Sequence, residues 1–239
     1  METKNRPFKR GLKDGFPIAL GYLFVSMGFG ITAINSGLNP VQAILISITN
    51  LTSAGQVAGV RVITESTIFL SSALEMLLTQ FVINLRYSLM GISLSQNTDD
   101  TFDIKNRLLC SYSITDEIYA VASTQPDLIC VSYFLGLSLL PIIGWTAGTA
   151  IGALLGSSIN PQLSAIFGIA IYGMFLSIFI PPAKKDIGIR ISVIAGALIS
   201  CIIYFTPSLD FISSGFSVII SSLIAATAAA IIKPIKEDD

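Results

Sequence analysis

The sequence contains no histidine in 239 residues, and only 12% of its residues are charged. Without histidine the chain lacks the commonest metal ligand and the side chain most often used as a proton shuttle near neutral pH. Charge at roughly half the level of soluble domains excludes a sizeable soluble domain. Cysteine is scarce as well: Cys110, Cys130 and Cys201 are odd in number, far apart and without C-x-x-C spacing. Neither a disulfide framework nor a thiolate metal site is indicated. No G-x-x-x-x-G-K-[ST] phosphate loop occurs, and neither H-E-x-x-H nor G-x-S-x-G is present. No cofactor, no metal and no nucleic-acid partner is expected.

What the chain has in excess is apolar surface, with 52% hydrophobic residues and a mean hydropathy of +0.75. This is the composition of an all-α polytopic membrane protein, a helical bundle filling one transmembrane domain over residues 1–239. Apolar runs at about 16–35, 41–63, 66–92, 128–155, 162–180, 187–205 and 211–232 predict membrane spans, since ~20 apolar residues cross a ~30 Å hydrocarbon core. Lys4, Arg6, Lys9, Arg10 and Lys13 precede the first run. That run is long and lacks an A-x-A cleavage site, so it is expected to be retained rather than removed as a signal peptide. Residues 108–122 are the ambiguous segment: if they cross, there are eight spans, and otherwise seven. Eight spans put residues 1–15, Lys184, Lys185, Arg190, Lys233 and the tail 233–239 on the cytoplasmic side, as the positive-inside rule favours. Ser36-Gly37-Leu38-Asn39-Pro40 recurs as Ser157-Ser158-Ile159-Asn160-Pro161, a possible internal repeat of the kind transporters carry.

Polar residues inside these runs mark the places where function is sought. In 41–63, Thr49, Thr52, Ser53 and Gln56 fall at i, i+3, i+4 and i+7, so a continuous helix would gather them on one stripe beside Asn50. Such a stripe bonds to a neighbouring helix or lines a wet cavity. Glu75 and Arg86 lie about three turns apart near opposite ends of 66–92, where snorkelling to an interface is one reading; the other expects Gln56, Arg86 and Asp116 to converge on one water-accessible site near the middle of the membrane. Residues 108–122 hold Tyr112, Thr115, Asp116, Glu117 and Tyr119; adjacent carboxylates there imply a shielded helix lining water or an interfacial position. Asp99, Asp100 and Asp103 spell D-D-x-x-D, a Mg²⁺-carboxylate pattern, but without a second copy they read as a solvated loop. Gly144, Gly148, Gly152 and Gly156 form a four-residue ridge that demands a close helical neighbour, inside the chain or in a partner, and Gly21, Gly28 and Gly30 suit tight packing of the first span.

Several of these pieces stand in a recognisable order: Gly15-Phe16-Pro17, Gly28-Phe29-Gly30, Leu51 to Val57, Asn84-Leu85-Arg86-Tyr87 and Thr115-Asp116-Glu117. Over residues 11–210 the chain resembles the AzlC family, the large subunit of bacterial branched-chain amino acid exporters. The resemblance implies a secondary exporter in the cytoplasmic membrane, working with a small AzlD-like membrane subunit. The matched pieces and the polar residues within them make Thr52, Ser53, Gln56, Asn84, Arg86, Tyr87, Thr115, Asp116 and Glu117 the expected substrate-binding or coupling residues. Where the family usually reads Phe-Ala-Gly-Ala-Ala-Gln-Phe, this chain has Leu51-Thr52-Ser53-Ala54-Gly55-Gln56-Val57, and Tyr87 stands where the family often has histidine. Added hydroxyls and lost aromatics leave room for another small substrate. A zwitterionic amino acid needs a carboxylate partner (Arg86, or a helix end aided by Gln56), an ammonium partner (Asp116 or Glu117) and an apolar wall. Ion coupling would draw on the same two acids. A membrane-embedded transferase and a small-solute channel are the alternative classes.

Overall fold

A computed structural model describes residues 6–65, 69–155 and 180–233, with 162, 169, 173 and 176 between the last two stretches. Among the described residues there is no strand; Thr98 and Ile129 make an isolated bridge. The helices are α1 (Arg6–Asn35), α2 (Pro40–Thr49), α3 (Ala54–Glu65), α4 (Phe69–Ser95), α5 (Ile104–Ser111), α6 (Asp116–Ser123), α7 (Val131–Leu155), α8 (Ile187–Phe205) and α9 (Ser214–Ile232). Among the described residues, α1, α7, α8 and α9 are long and apolar enough to cross a membrane. Helix α4 has the length, but Glu75, Gln80, Asn84 and Arg86 lower its hydropathy. The chain is an all-helical, multi-pass membrane protein. The repeat copy at 157–161, the ridge's Gly156, most of the expected span 162–180 and the tail beyond Lys233 lie outside the described residues.

By contacts the chain divides into two compact units, Met1–Val57 with Asn84–Ile171, and Ala58–Ile83 with Tyr172–Asp239. The first unit is organised by α1 against α7. Helix α1 begins ten residues earlier than the hydropathy predicts, and this basic extension supplies Gly11 and Gly15 to the contact. A Cβ at Gly144, Gly148 or Gly152 of α7 would collide with the carbonyl oxygens of Ala19, Leu23 or Met27. The reverse holds for α1, where a Cβ at Gly11, Gly15 or Gly30 would meet the backbone oxygens of Tyr133, Leu137 or Thr149. The two backbones touch along their length because each presents hydrogen where the other presents carbonyl. The close neighbour demanded by the glycine ridge is therefore internal. Gly21 takes no part, having no atom within 4 Å of its Cβ position. At the start of the pair Asp14 accepts from Tyr133 Oη (2.9 Å), and Arg10 stacks over the Tyr133 ring while donating to Gln125 (2.5 Å).

One expectation fails here, and the ambiguous segment proves interrupted in the same way. Residues 41–63 do not form one helix: α2 ends at Thr49, Asn50 to Ser53 are non-helical, and α3 starts at Ala54. Asn50 adopts an extended conformation and Ser53 has φ +34°, a left-handed conformation costing about 1–2 kcal/mol outside glycine. Residues 108–122 are likewise split, into α5 and α6, each of 8 residues and thus ~12 Å, too short to cross alone. Hydropathy averages over such interruptions and cannot register them. Breaks of this kind survive at membrane depth only where protein or a watery cavity satisfies the freed backbone groups. The acidic loop is structural: Asp99 accepts from Thr101, and Asp103 caps α5 through the Asn106 N–H.

In the second unit α8 packs with α9. Asp186 caps α8 and pairs at 2.7 Å with Lys233, the residue closing α9. The hydrogen-bonded Lys233 ammonium holds the Asp186 carboxyl below the usual carboxylate range, so this tie is complete at neutral pH and loosens only as acid protonates Asp186. Glu75 does not snorkel. It is 7% exposed and accepts from Gly215 N–H and the Ser213 hydroxyl at the start of α9.

Candidate functional site

The site lies within the first unit, where the second helix break meets α1, α4 and α7. Thr115 is the N-cap of α6, its hydroxyl accepting from Ile118 N–H, and Asp116 and Glu117 occupy the first turn. Carboxylates are favoured there because the helix start carries partial positive charge. Thr-Asp-Glu is thus a local helix-starting signal as well as a chemical one. From α4, Arg86 reaches Asp116 with Nη1 2.8 Å from Oδ2, the side chains being 33% and 16% exposed. Arg86 also donates to Tyr87 Oη (2.9 Å) and lies over its ring, 4.8 Å from the centroid. It is therefore not snorkelling; its charge is matched inside the fold. Glu117 accepts a 2.5 Å hydrogen bond from Tyr22 of α1, whose hydroxyl also contacts Thr115 Oγ1 at 2.8 Å.

Tyr22 continues the network toward the first break. Its ring packs edge-on against Trp145 of α7 with centroids 5.1 Å apart, and Trp145 Nε1 donates to Gln56 Oε1 at 3.0 Å. Gln56, 1% exposed, uses its amide nitrogen on the end of α2: Asn50 O at 2.5 Å, with Ile46 O and Ser47 Oγ at 3.4 Å. Ser47 in turn bonds Thr149 of α7 (2.7 Å), and Tyr112, between α5 and α6, donates to Ile48 O. The carbonyls orphaned where α2 stops are thus collected by side chains, as a buried helix end requires. Thr49 bonds back to Leu45 O, and Thr52 donates to Asn50 Oδ1 within the break. The expected single polar stripe is instead a stapled interruption.

The sequence-marked residues accordingly separate. Arg86, Tyr87, Thr115, Asp116 and Glu117 meet in one polar cluster. Gln56 reaches it only through Trp145 and Tyr22, and both ends of its amide are already engaged, so it positions the break. Thr52 and Ser53 lie in the break itself, and Asn84 is half-buried on α4 two residues before Arg86. Tyr22 and Trp145 escape a reading by sequence because each sits in an apolar run as an ordinary aromatic; the one signal is that Trp145 is the only tryptophan and adjoins the ridge glycine Gly144. That tryptophan reports on the staple. Gln56→Ala is expected to red-shift its fluorescence and to cost about 1–3 kcal/mol, since a buried indole N–H and the Asn50 carbonyl lose their partner. An unshifted emission spectrum and melting temperature would show that the bond contributes nothing.

Residues 17–159, more than half of the chain, match the family model described as AzlC protein. The chain belongs to the AzlC family. All five pieces of the cluster, and both Tyr22 and Trp145, fall inside the matched AzlC segment. Among similar proteins is an uncharacterized membrane protein of Archaeoglobus fulgidus, 27% identical over 82% of this chain and 84% of the relative. The inner membrane protein YgaZ of Escherichia coli is 25% identical over 84% and 83% respectively. An uncharacterized membrane protein of Helicobacter pylori is 24% identical over 80% and 87%. No solved structure matches the chain. The AzlC family and these membrane relatives make it a transporter-like membrane protein.

Proposed function

We propose that this chain is the larger subunit of a two-component secondary exporter of branched-chain or similarly small amino acids. It would act in the bacterial cytoplasmic membrane with a small AzlD-like membrane subunit. The observation that carries the reading is the Arg86–Asp116 pair, part-exposed and flanked by Glu117 on Tyr22. Opposite charges beside an aromatic wall match a zwitterion: Arg86 receives the substrate carboxylate, Asp116 or Glu117 the ammonium, and Tyr22 and Tyr87 border the apolar part. Two interrupted helices beside the cluster support the same reading, because transporter sites are commonly built on discontinuous helices. Eight spans with both termini cytoplasmic, in which α5 and α6 would cross together as one broken helix, agree best with the distribution of basic residues.

The test is exchange in proteoliposomes holding the chain with and without the small subunit. Labelled valine, leucine and isoleucine are expected to exchange saturably, with the two-subunit vesicles active and the single chain inactive. Flux that never saturates with concentration would make the protein a channel. No flux of any amino acid in two-subunit vesicles would remove the exporter assignment.

A further inference from the structure

The second unit contains a buried carboxylate that amino acid binding does not employ. Glu75 accepts a 3.1 Å hydrogen bond from Gly215 N–H and another from the hydroxyl of Ser213, the N-cap of α9. An ionised carboxylate buried away from water is costly, and the positive end of a helix offsets part of that cost. One turn further along α4, Thr79 is fully buried, and among the described residues its Oγ1 has no hydrogen-bond partner. Both oxygens point at the same small space. The position that a Cβ would occupy on Gly215 is 2.5 Å from Glu75 Oε1 and 2.6 Å from Thr79 Oγ1. Glycine lets both oxygens crowd the start of α9, where any side chain would displace them, and a buried hydroxyl without a partner is costly.

We propose that Glu75 and Thr79 form a proton-binding site. A proton from the aqueous phase adds to the Glu75 carboxylate, which goes from charge −1 to neutral. The new carboxyl O–H then donates to Thr79 Oγ1, while Gly215 N–H and the Ser213 hydroxyl continue to point at the carboxyl group. The chemistry suits a proton better than a metal cation. Two of the groups facing Oε1 are donors, the start of α9 disfavours positive charge, and Thr79 contributes a single further oxygen. Among the described residues no Lys or Arg forms an ion pair with Glu75; Arg61 on α3 and Asp210 before α9 are exposed. Among the described residues, the groups facing the carboxyl include Thr79 from α4, Ser213 at the cap before α9 and Gly215 within it. In a transporter such a site would couple substrate movement to a proton gradient, separately from Asp116 and Glu117.

The experiment reads the proton directly, without relying on transport. Infrared difference spectra of the purified protein, acid minus alkaline, are expected to contain the carbonyl stretch of a protonated carboxylic acid that disappears in Glu75→Gln. Thr79→Val is the second variant, since it keeps the shape and the helix cap but removes the acceptor. It is expected to move the titration of that band to lower pH by up to about one unit, the worth of one hydrogen bond to the protonated form. If Thr79 merely fills space, Val at 79 leaves the titration in place. An unmoved titration in Thr79→Val, or the same spectrum in the parent and Glu75→Gln, overturns the proposal. In vesicles that exchange amino acids, Glu75→Gln is expected to keep exchange and lose acceleration by a pH gradient. Retained acceleration would take coupling away from this site, and a complete lack of exchange in the parent would instead sink the exporter reading.

Discussion

Leucine at Gly148 is expected to prevent the protein from accumulating in the membrane, or to lower its melting temperature by roughly 10 °C, whereas leucine at Gly21 changes neither. The difference lies in what each position faces. Even the first carbon of a side chain at Gly148 would overlap both the Leu23 carbonyl oxygen and Ser26 Oγ, while Gly21 has no atom within 4 Å of its Cβ position. Overpacking usually costs ~1–3 kcal/mol when side chains can rearrange. Here the obstacle is backbone, so α1 and α7 must move apart along a contact that also includes Gly144 and Gly152. At roughly 2–4 °C per kcal/mol for a chain of this size, the loss is measurable by fluorescence-monitored melting in detergent. Equal melting temperatures for the Gly148→Leu and Gly21→Leu proteins would mean that the two helices do not touch.

Neutralising one partner of the Arg86–Asp116 pair is expected to weaken substrate binding by about 10- to 150-fold, corresponding to a lost charge-assisted contact of about 1.5–3 kcal/mol. Arg86→Gln and Asp116→Asn each remove one charge, and each leaves the other in a half-closed setting where an unmatched ion is destabilising. The double variant separates the explanations. If the pair only holds α4 to α6, removing both charges restores stability and binding together, because no ion is left uncompensated. If Arg86 receives a substrate carboxylate, the double variant recovers stability but stays weak in binding. Affinity from equilibrium dialysis and melting temperature on the same four proteins give both sides of the cycle. Binding within about twofold of the parent in all three variants would make these residues structural.

The contrast between Gly148 and Gly21 also shows how far a sequence carries. Both are glycines in apolar helices, and four-residue spacing singled out the ridge but could not tell whether its neighbour was internal or which helix it was. A position near the end of a span suggests snorkelling for Glu75, which instead caps the start of a helix 138 residues away in sequence. For Arg86 snorkelling competed with a site shared with Asp116, and only the fold decided between them, by pairing the two.

Membrane residence, helical class and the positions of α8 and α9 were determined by the sequence alone, because hydropathy is a sum over neighbours along the chain and needs no knowledge of partners. The same holds for the glycine ridge and for the adjacency of Thr115, Asp116 and Glu117. The tertiary structure decided where helices stop inside apolar runs, at 50–53 and 112–115; at the first break Gln56 and the distant Tyr112 collect the carbonyls that α2 leaves free, which no sum over neighbours registers. It also decided the roles of Tyr22 and Trp145. Their polar atoms acquire meaning only from Glu117 and Gln56, which lie 95 and 89 positions away in the chain.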